Sequence, residues 1–353
     1  MFMNLERYFR ELVALPSPSR DEGKVASYMK DKLSGFGYSF LEDAVGNLLF
    51  YKDKAGEKIM LSGHMDTVPP AVNAVLVEDD EKFFTDGTTA LGADDKCALA
   101  SILSVAEGYD GNNLIILLCV AEEIGLWGSS QLKKEFFSPF DIKHAYILDA
   151  QRSVGSIITK AVGKTRMTLK FHGLKAHAGF KPEAGINAIV MAADFASSIK
   201  TGRLAEFATS NIGSFVSEGT TNVVPDYAEI VMEVRSSETS HRNEIVESYK
   251  TAAIETAKKY NGSVDIILED LYTEYSIDKD SKIVQRAIKA IESAGIEANT
   301  LSTTGGSDAN NLNKIGIESV VLTSGYFNGH ATSEYIEKKE LRNLYNVAKA
   351  LII

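Results

Sequence analysis

KIMLSGHMDTVPP, residues 58–70, joins a short apolar run to a histidine and an aspartate two positions apart. Ile59, Met60 and Leu61 read as a strand, and His64 and Asp66 stand just beyond it. The same design recurs downstream. LIILLCV (114–120) is followed by Glu122 and Glu123, and the apolar residues 145–148 end at Asp149. SVVLT (319–323) precedes a turn-rich stretch carrying His330. In open α/β sheets, sites gather outside the carboxyl ends of the strands. Four strands that each deliver a His or a carboxylate to that edge imply one convergent site, and the residue types make it a metal site.

Working outward, the order strand, helix, strand, helix through residue 149 indicates an α/β fold with a mainly parallel sheet. Helices are expected at 4–15, 22–34 (with Ser19 as a cap), 95–106 and 281–294, and strands at 38–42, 47–52, 58–62 and near 319. The rhythm changes near residue 160. KTRMTLKF (164–171) alternates like a half-exposed strand, followed by a helix at 186–199, strands at 210–217 and 226–235, a helix at 240–260 and a strand at 263–271. This βαββαβ order suits an antiparallel sheet covered on one face, a ferredoxin-like α+β domain. The expected organisation is a larger metal-binding domain (1–161 and 273–353) interrupted by a smaller inserted domain (162–272).

A chain of 353 residues has ample material for such a core. The net charge of -11 disfavours a nucleic-acid binder, whose affinity would come from basic patches. No apolar run approaches the roughly 20 residues of a membrane span, and the N-terminal Glu and Arg do not suit a signal peptide. Cys97 and Cys119 lie in apolar contexts and read as reduced core residues of a cytoplasmic protein.

In extended chain, residues two apart point the same way, so His64 can bind a metal while Asp66 orients its ring. Glu122 and Glu123 point to different sides, so one can bind metal while the other faces substrate. Metal-assisted hydrolysis needs that division: a water acidified by the metal and a carboxylate to take its proton. His144, His172 and His241 have no such context and read as structural or solvated.

HMDTVP, GADDK, AEE, the later Asp149 and HATSEY together resemble the dizinc exopeptidase family of aminoacylases, carboxypeptidases and tripeptide aminopeptidase. GADDK and AEE are most similar to its peptidase T-like branch. The resemblance covers nearly the whole chain and implies a lid and dimerisation role for the inserted domain. It makes His64, Asp94, Glu123, Asp149 and His330 the ligands of two divalent ions, zinc first, with cobalt or manganese as options. Asp94 would bridge the ions, and the Asp94–Asp95 bond would be cis. Glu122 would be the general base, and Asp95 in place of Asp94, or Glu123 in place of Glu122, are the offset alternatives. GLKAHAGFKPEAGINAI resembles the family's lid motif, implying that His177 stabilises an oxyanion, usually from the partner subunit. Asn222, Gly305, Gly306 and Asp308 match positions near substrate, and Arg235 matches one in the lid fold or on its binding face. Thr304 departs from peptidase T, which carries a basic residue just ahead of the paired glycines.

The implied protein is a cytoplasmic dizinc metallohydrolase, an aminopeptidase on short peptides working as a homodimer. An N-acyl amino acid deacylase or a carboxypeptidase would use the same metals. A metal-binding assembly protein without turnover would have no need of Glu122.

Overall fold

The computed structural model describes residues 2–353. The chain forms two compact units: one of Ser276–Ser302, Gly306–Ile353 and everything up to Lys160, the other of Ala161–Tyr275 with Thr303–Gly305.

The first unit is built on a mixed sheet. Its centre is four parallel strands in the order Leu114–Cys119, Glu57–His64, Asp141–Ile147, Ser319–Leu322. Leu114–Cys119 is buried along its whole length, the pattern of a strand covered on both faces. Antiparallel strands flank this centre: the hairpin Ser39–Glu42 and Leu48–Tyr51 at one side, and Ser156–Ala161 at the other. The register brings the strand ends level, with His64 opposite Cys119 and Ser62 opposite Ile147. The helix Ala93–Glu107 packs on the Glu57–His64 strand and carries the helices Phe2–Val13 and Lys338–Ile352. Its residues are buried from Ala93 to Ala106, so it is apolar nearly all round. Each fully buried Leu or Phe in such a core contributes roughly 1.5–3 kcal/mol.

Two local readings change. The helix Gly23–Gly35 has no side-chain cap from Ser19. The Ser19 hydroxyl instead donates to Asp66 at 2.7 Å, and Glu22, three residues further on, stands at the N-cap. A small second sheet of Leu76–Glu78, Lys82–Thr85, Tyr326–Phe327 and Tyr335–Glu337 was not foreseen. Strands this short give too few positions for an alternation to register.

The second unit keeps the βαββαβ order but adds to its sheet one short strand, Gly202–Ala205, after its first helix. Its strands lie as Gly202–Ala205, Ala208–Val216, Tyr227–Ser236, Gly163–His172, Ser263–Tyr272, antiparallel throughout. Gly163–His172 and Tyr227–Ser236 alternate buried and half-buried residues along their whole length. The buried set, including Met167, Leu169, Phe171, Ile230 and Met232, packs under the helices Ala188–Ser198 and Thr239–Lys259.

Candidate metal centre

The carboxyl ends of the four parallel strands and the start of the buried helix converge on one cluster. His64 Nε2 lies 3.2 Å from Asp94 Oδ1 and 3.8 Å from Asp149 Oδ1. His330 Nε2 lies 3.3 Å from Asp94 Oδ2 and 3.0 Å from Glu123 Oε2. Two sets result, His64/Asp94/Asp149 and Asp94/Glu123/His330, each with ligand atoms within 4.8 Å of one another. Asp94 belongs to both, giving one oxygen to each. The Asp94–Asp95 peptide bond is cis. Asp95, fully buried, turns away from both sets, and its Oδ2 accepts the His64 backbone N–H at 3.1 Å. Glu122 also stands outside both sets.

Asp66 holds this edge together. Its Oδ1 accepts the Glu122 N–H at 2.9 Å, and its Oδ2 accepts the Glu123 N–H at 3.2 Å and the Ser19 hydroxyl. His64 Nδ1 donates to the Asp66 carbonyl at 2.9 Å, with the carboxylate 3.3 Å away. That bond fixes a proton on Nδ1 and aims Nε2, the nitrogen a metal would take, at Asp94 and Asp149. Gly63 is needed for the approach of Asp95: a Cβ there would sit 2.5 Å from Asp95 Oδ2.

The electrostatics fit bound cations. Burial disfavours charge on His64, but Asp66, Asp94 and Asp149 outweigh it and hold the imidazole well above its ordinary value. Bonds to Asp94 and Glu123 push His330 up to about 10. Burial and the neighbouring Asp149 raise Glu122 well above the usual carboxylate range, and burial with Asp94 does the same to Asp149. Glu123 Oε1 is buried with no hydrogen-bond partner among the described residues, and an orphaned carboxylate oxygen inside a ligand set suits a cation. Imidazole nitrogens and carboxylate oxygens are zinc donors, and cobalt and manganese accept the same set.

The remaining expected site residues divide between the units. Asp308 and Gly306 belong to the first. Asp308 is only 1 % exposed, so its side chain sits beneath the surface. His177, Asn222, Arg235 and Gly305 belong to the second. His177 pairs with Val223 in a two-stranded ribbon, and Ala178 N–H donates to the Asn222 carbonyl at 2.9 Å. His177 Nδ1 accepts the Gly179 and Phe180 N–H groups at 3.1 and 3.2 Å. The neutral ring therefore carries its proton on Nε2, a donor on an exposed side chain. Arg235 donates to Glu233 at 2.7 Å and to the Thr304 carbonyl at 3.1 Å, beside Gly305.

Sequence reasoning missed Ser19 and Glu334. Glu334 lies inside the HATSEY motif, four residues after His330, and that closeness to a ligand was the available signal.

One carboxylate shared between two His/carboxylate sets, on the carboxyl edge of a parallel sheet, is the arrangement of a dinuclear metallohydrolase. Residues 60–353 match the peptidase family M20/M25/M40, and the chain belongs to that family. It is 32% identical over 359 residues to the uncharacterized protein YqjE of Bacillus subtilis, covering 98% of this chain and 96% of that one. The solved aminopeptidase PepT of Bacillus cereus is 30% identical, with a TM-score of 0.87 over 100% of this chain and 98% of that one. A tripeptidase structure from Staphylococcus aureus is 31% identical, with a TM-score of 0.91 at the same coverage. The chain is thus a metallopeptidase of the peptidase T-like branch.

Proposed function

We propose that the enzyme removes the amino-terminal residue from short peptides, with His64, Asp94 and Asp149 holding one divalent ion and Asp94, Glu123 and His330 the other. The carrying observation is Asp94, whose two oxygens face two different histidines, beside a carboxylate, Glu122, that belongs to neither set. Zinc is the first choice of metal. Bound there, two such ions supply an acidified water and a polarised carbonyl.

Glu122 takes the proton of the attacking water. As the water oxygen bonds to the carbonyl carbon and the C–N bond breaks, Glu122 returns that proton to the leaving nitrogen. Its burial suits this duty, because a raised proton affinity lets a carboxylate hold a proton between the two steps. Asp66 fixes the His64 ring. His177 donates its Nε2–H to the oxyanion, a role supported by its tautomer and by the family's lid motif. Asn222, Arg235, Gly305 and Gly306 contact substrate. Asp308, buried as it is, acts from within the wall of that site. The inserted unit, expected over 162–272, serves as lid and dimerisation surface. The protein works as a cytoplasmic homodimer, and its free buried cysteines Cys97 and Cys119 agree with a reducing compartment.

The test is hydrolysis of di- and tripeptides, their N-acetylated forms and N-acyl amino acids, with and without chelator. Only free-amine peptides should be cleaved, and chelator should abolish cleavage. Turnover of acylated substrates at equal rate would overturn the aminopeptidase reading. Glu122→Gln should lose about 10²–10⁴ in kcat while keeping both ions.

A further inference from the structure

We propose that Glu334 is a positioning residue that locks the shared carboxylate of Asp94 and the loop of His330 into one unit. The inference rests on Asp94 and His330 being metal ligands, as read above. Glu334 is 1 % exposed. Its Oε2 accepts the Gly92 N–H at 2.8 Å and its Oε1 the Asp94 N–H at 3.0 Å. Both oxygens are thus engaged by the backbone that presents Asp94.

That backbone is irregular. Gly92 is left-handed at φ 71°, and Asp94 and Asp95 depart from helical φ/ψ at the start of the helix Ala93–Glu107. A residue other than Gly is disfavoured at position 92 by its φ and by close contact, since a Cβ would lie 3.2 Å from Thr67 Cγ2 and 3.3 Å from Ala71 Cβ. The Glu334 carboxylate supplies the acceptors that this turn lacks within the helix.

The same residue closes the His330 loop through its main chain. Glu334 N–H donates to the Ala331 carbonyl at 3.0 Å, and Ala331 N–H to the Asn328 carbonyl at 3.1 Å. His330 sits between them at φ 69°. One residue therefore fixes, by backbone, the loop that aims His330 and, by side chain, the turn that aims Asp94. Because Asp94 faces both ligand sets, Glu334 governs both ions at once. Partners of this kind typically change metal affinity about 10–100-fold.

Glu334→Gln makes the test. A Gln offers one carbonyl oxygen and one NH₂, so one of the two backbone N–H groups would face another donor. Metal affinity is measured by chelator competition, stoichiometry by elemental analysis, and ligand geometry by the visible spectrum of the cobalt-substituted protein. E334Q should bind both ions about 10–100-fold more weakly and shift the cobalt bands. Glu334→Asp, which keeps the charge and both acceptors one methylene short, should recover part of that loss. Wild-type affinity, stoichiometry and spectrum in E334Q would overturn the proposal. Failure of both variants to fold would also overturn it, by making Glu334 a residue of general stability. A wild-type protein that binds fewer than two ions per chain would instead count against the two-metal reading itself.

Discussion

Replacing Asp66 with Asn tests whether this side chain organises the metal edge. The carboxylate is fully buried and takes donors on both oxygens: the Glu122 N–H on one, and the Ser19 hydroxyl and the Glu123 N–H on the other. An Asn has one acceptor oxygen. If its NH₂ replaces Oδ1, it confronts the Glu122 N–H. If it replaces Oδ2, the Ser19 hydroxyl can rotate and accept, but the Glu123 N–H is left unmet. The second arrangement strands a single buried donor, which costs about 1–3 kcal/mol, and the charge that favours the His64 ring is lost as well. The expected global destabilisation is therefore about 2–3 kcal/mol. Both ligand sets are touched, one through His64 and the other through the Glu123 backbone, so affinity for both ions should drop about 10–100-fold. Urea unfolding at constant m and chelator competition read the two effects separately. Ser19→Ala is the internal control. It removes one donor from Asp66 Oδ2, which keeps the Glu123 N–H, and should cost no more than about 1 kcal/mol. Stability within about 0.5 kcal/mol of wild type for D66N, with metal affinity unchanged, would refute this account of Asp66.

Three further outcomes are expected. Asp94→Ala should lose both ions, whereas Asp149→Ala and His330→Ala should each weaken one set and leave a measurable ion in the other; equal stoichiometry in all three variants would contradict a shared Asp94. Gly63→Ala should destabilise by about 1–3 kcal/mol, because its Cβ would lie 2.5 Å from Asp95 Oδ2 and 3.2 Å from Ala98 Cβ; denaturant melts read this, and an unchanged midpoint would show that Asp95 can move freely. Glu78 takes paired bonds from Arg10 at 2.8 Å each and a contact from Lys338 at 2.9 Å, and the Arg10 bond leads in lowering its carboxyl to about 2 from an ordinary 4.5. A depressed folded-state pKa gives stability that is present above 4.5 and fades as pH falls towards 2. The wild-type minus Glu78→Gln difference in unfolding midpoint should shrink across that window and be smaller in high salt; a difference that does not vary with pH would remove Glu78 from the acid response.

The metal edge was legible in the sequence because each ligand follows the end of an apolar run, and strand ends are where a parallel sheet exposes side chains. What holds those ligands was not, and the reason is distance along the chain. Ser19 is 47 residues from Asp66, and Glu334 is 240 from Asp94, so no periodicity or local spacing links either pair. Adjacency also left Asp94 and Asp95 as rival ligands. The backbone divides them: Asp94 faces the two histidines, while Asp95 faces back to the His64 amide. The hairpin at the sheet's edge is a different case: both its strands were expected, and only their antiparallel pairing was not read. Asp43 Oδ1 accepts the Val45, Gly46 and Asn47 N–H groups, and Gly46 has φ 102°, so the segment DAVGN states a tight turn in its own residues. Read as a turn signal between two short apolar runs, it would have given the hairpin from sequence. Local turn chemistry is thus written in the chain where it acts, whereas the buried acceptors that aim a metal site become visible only once folding has brought their donors to them.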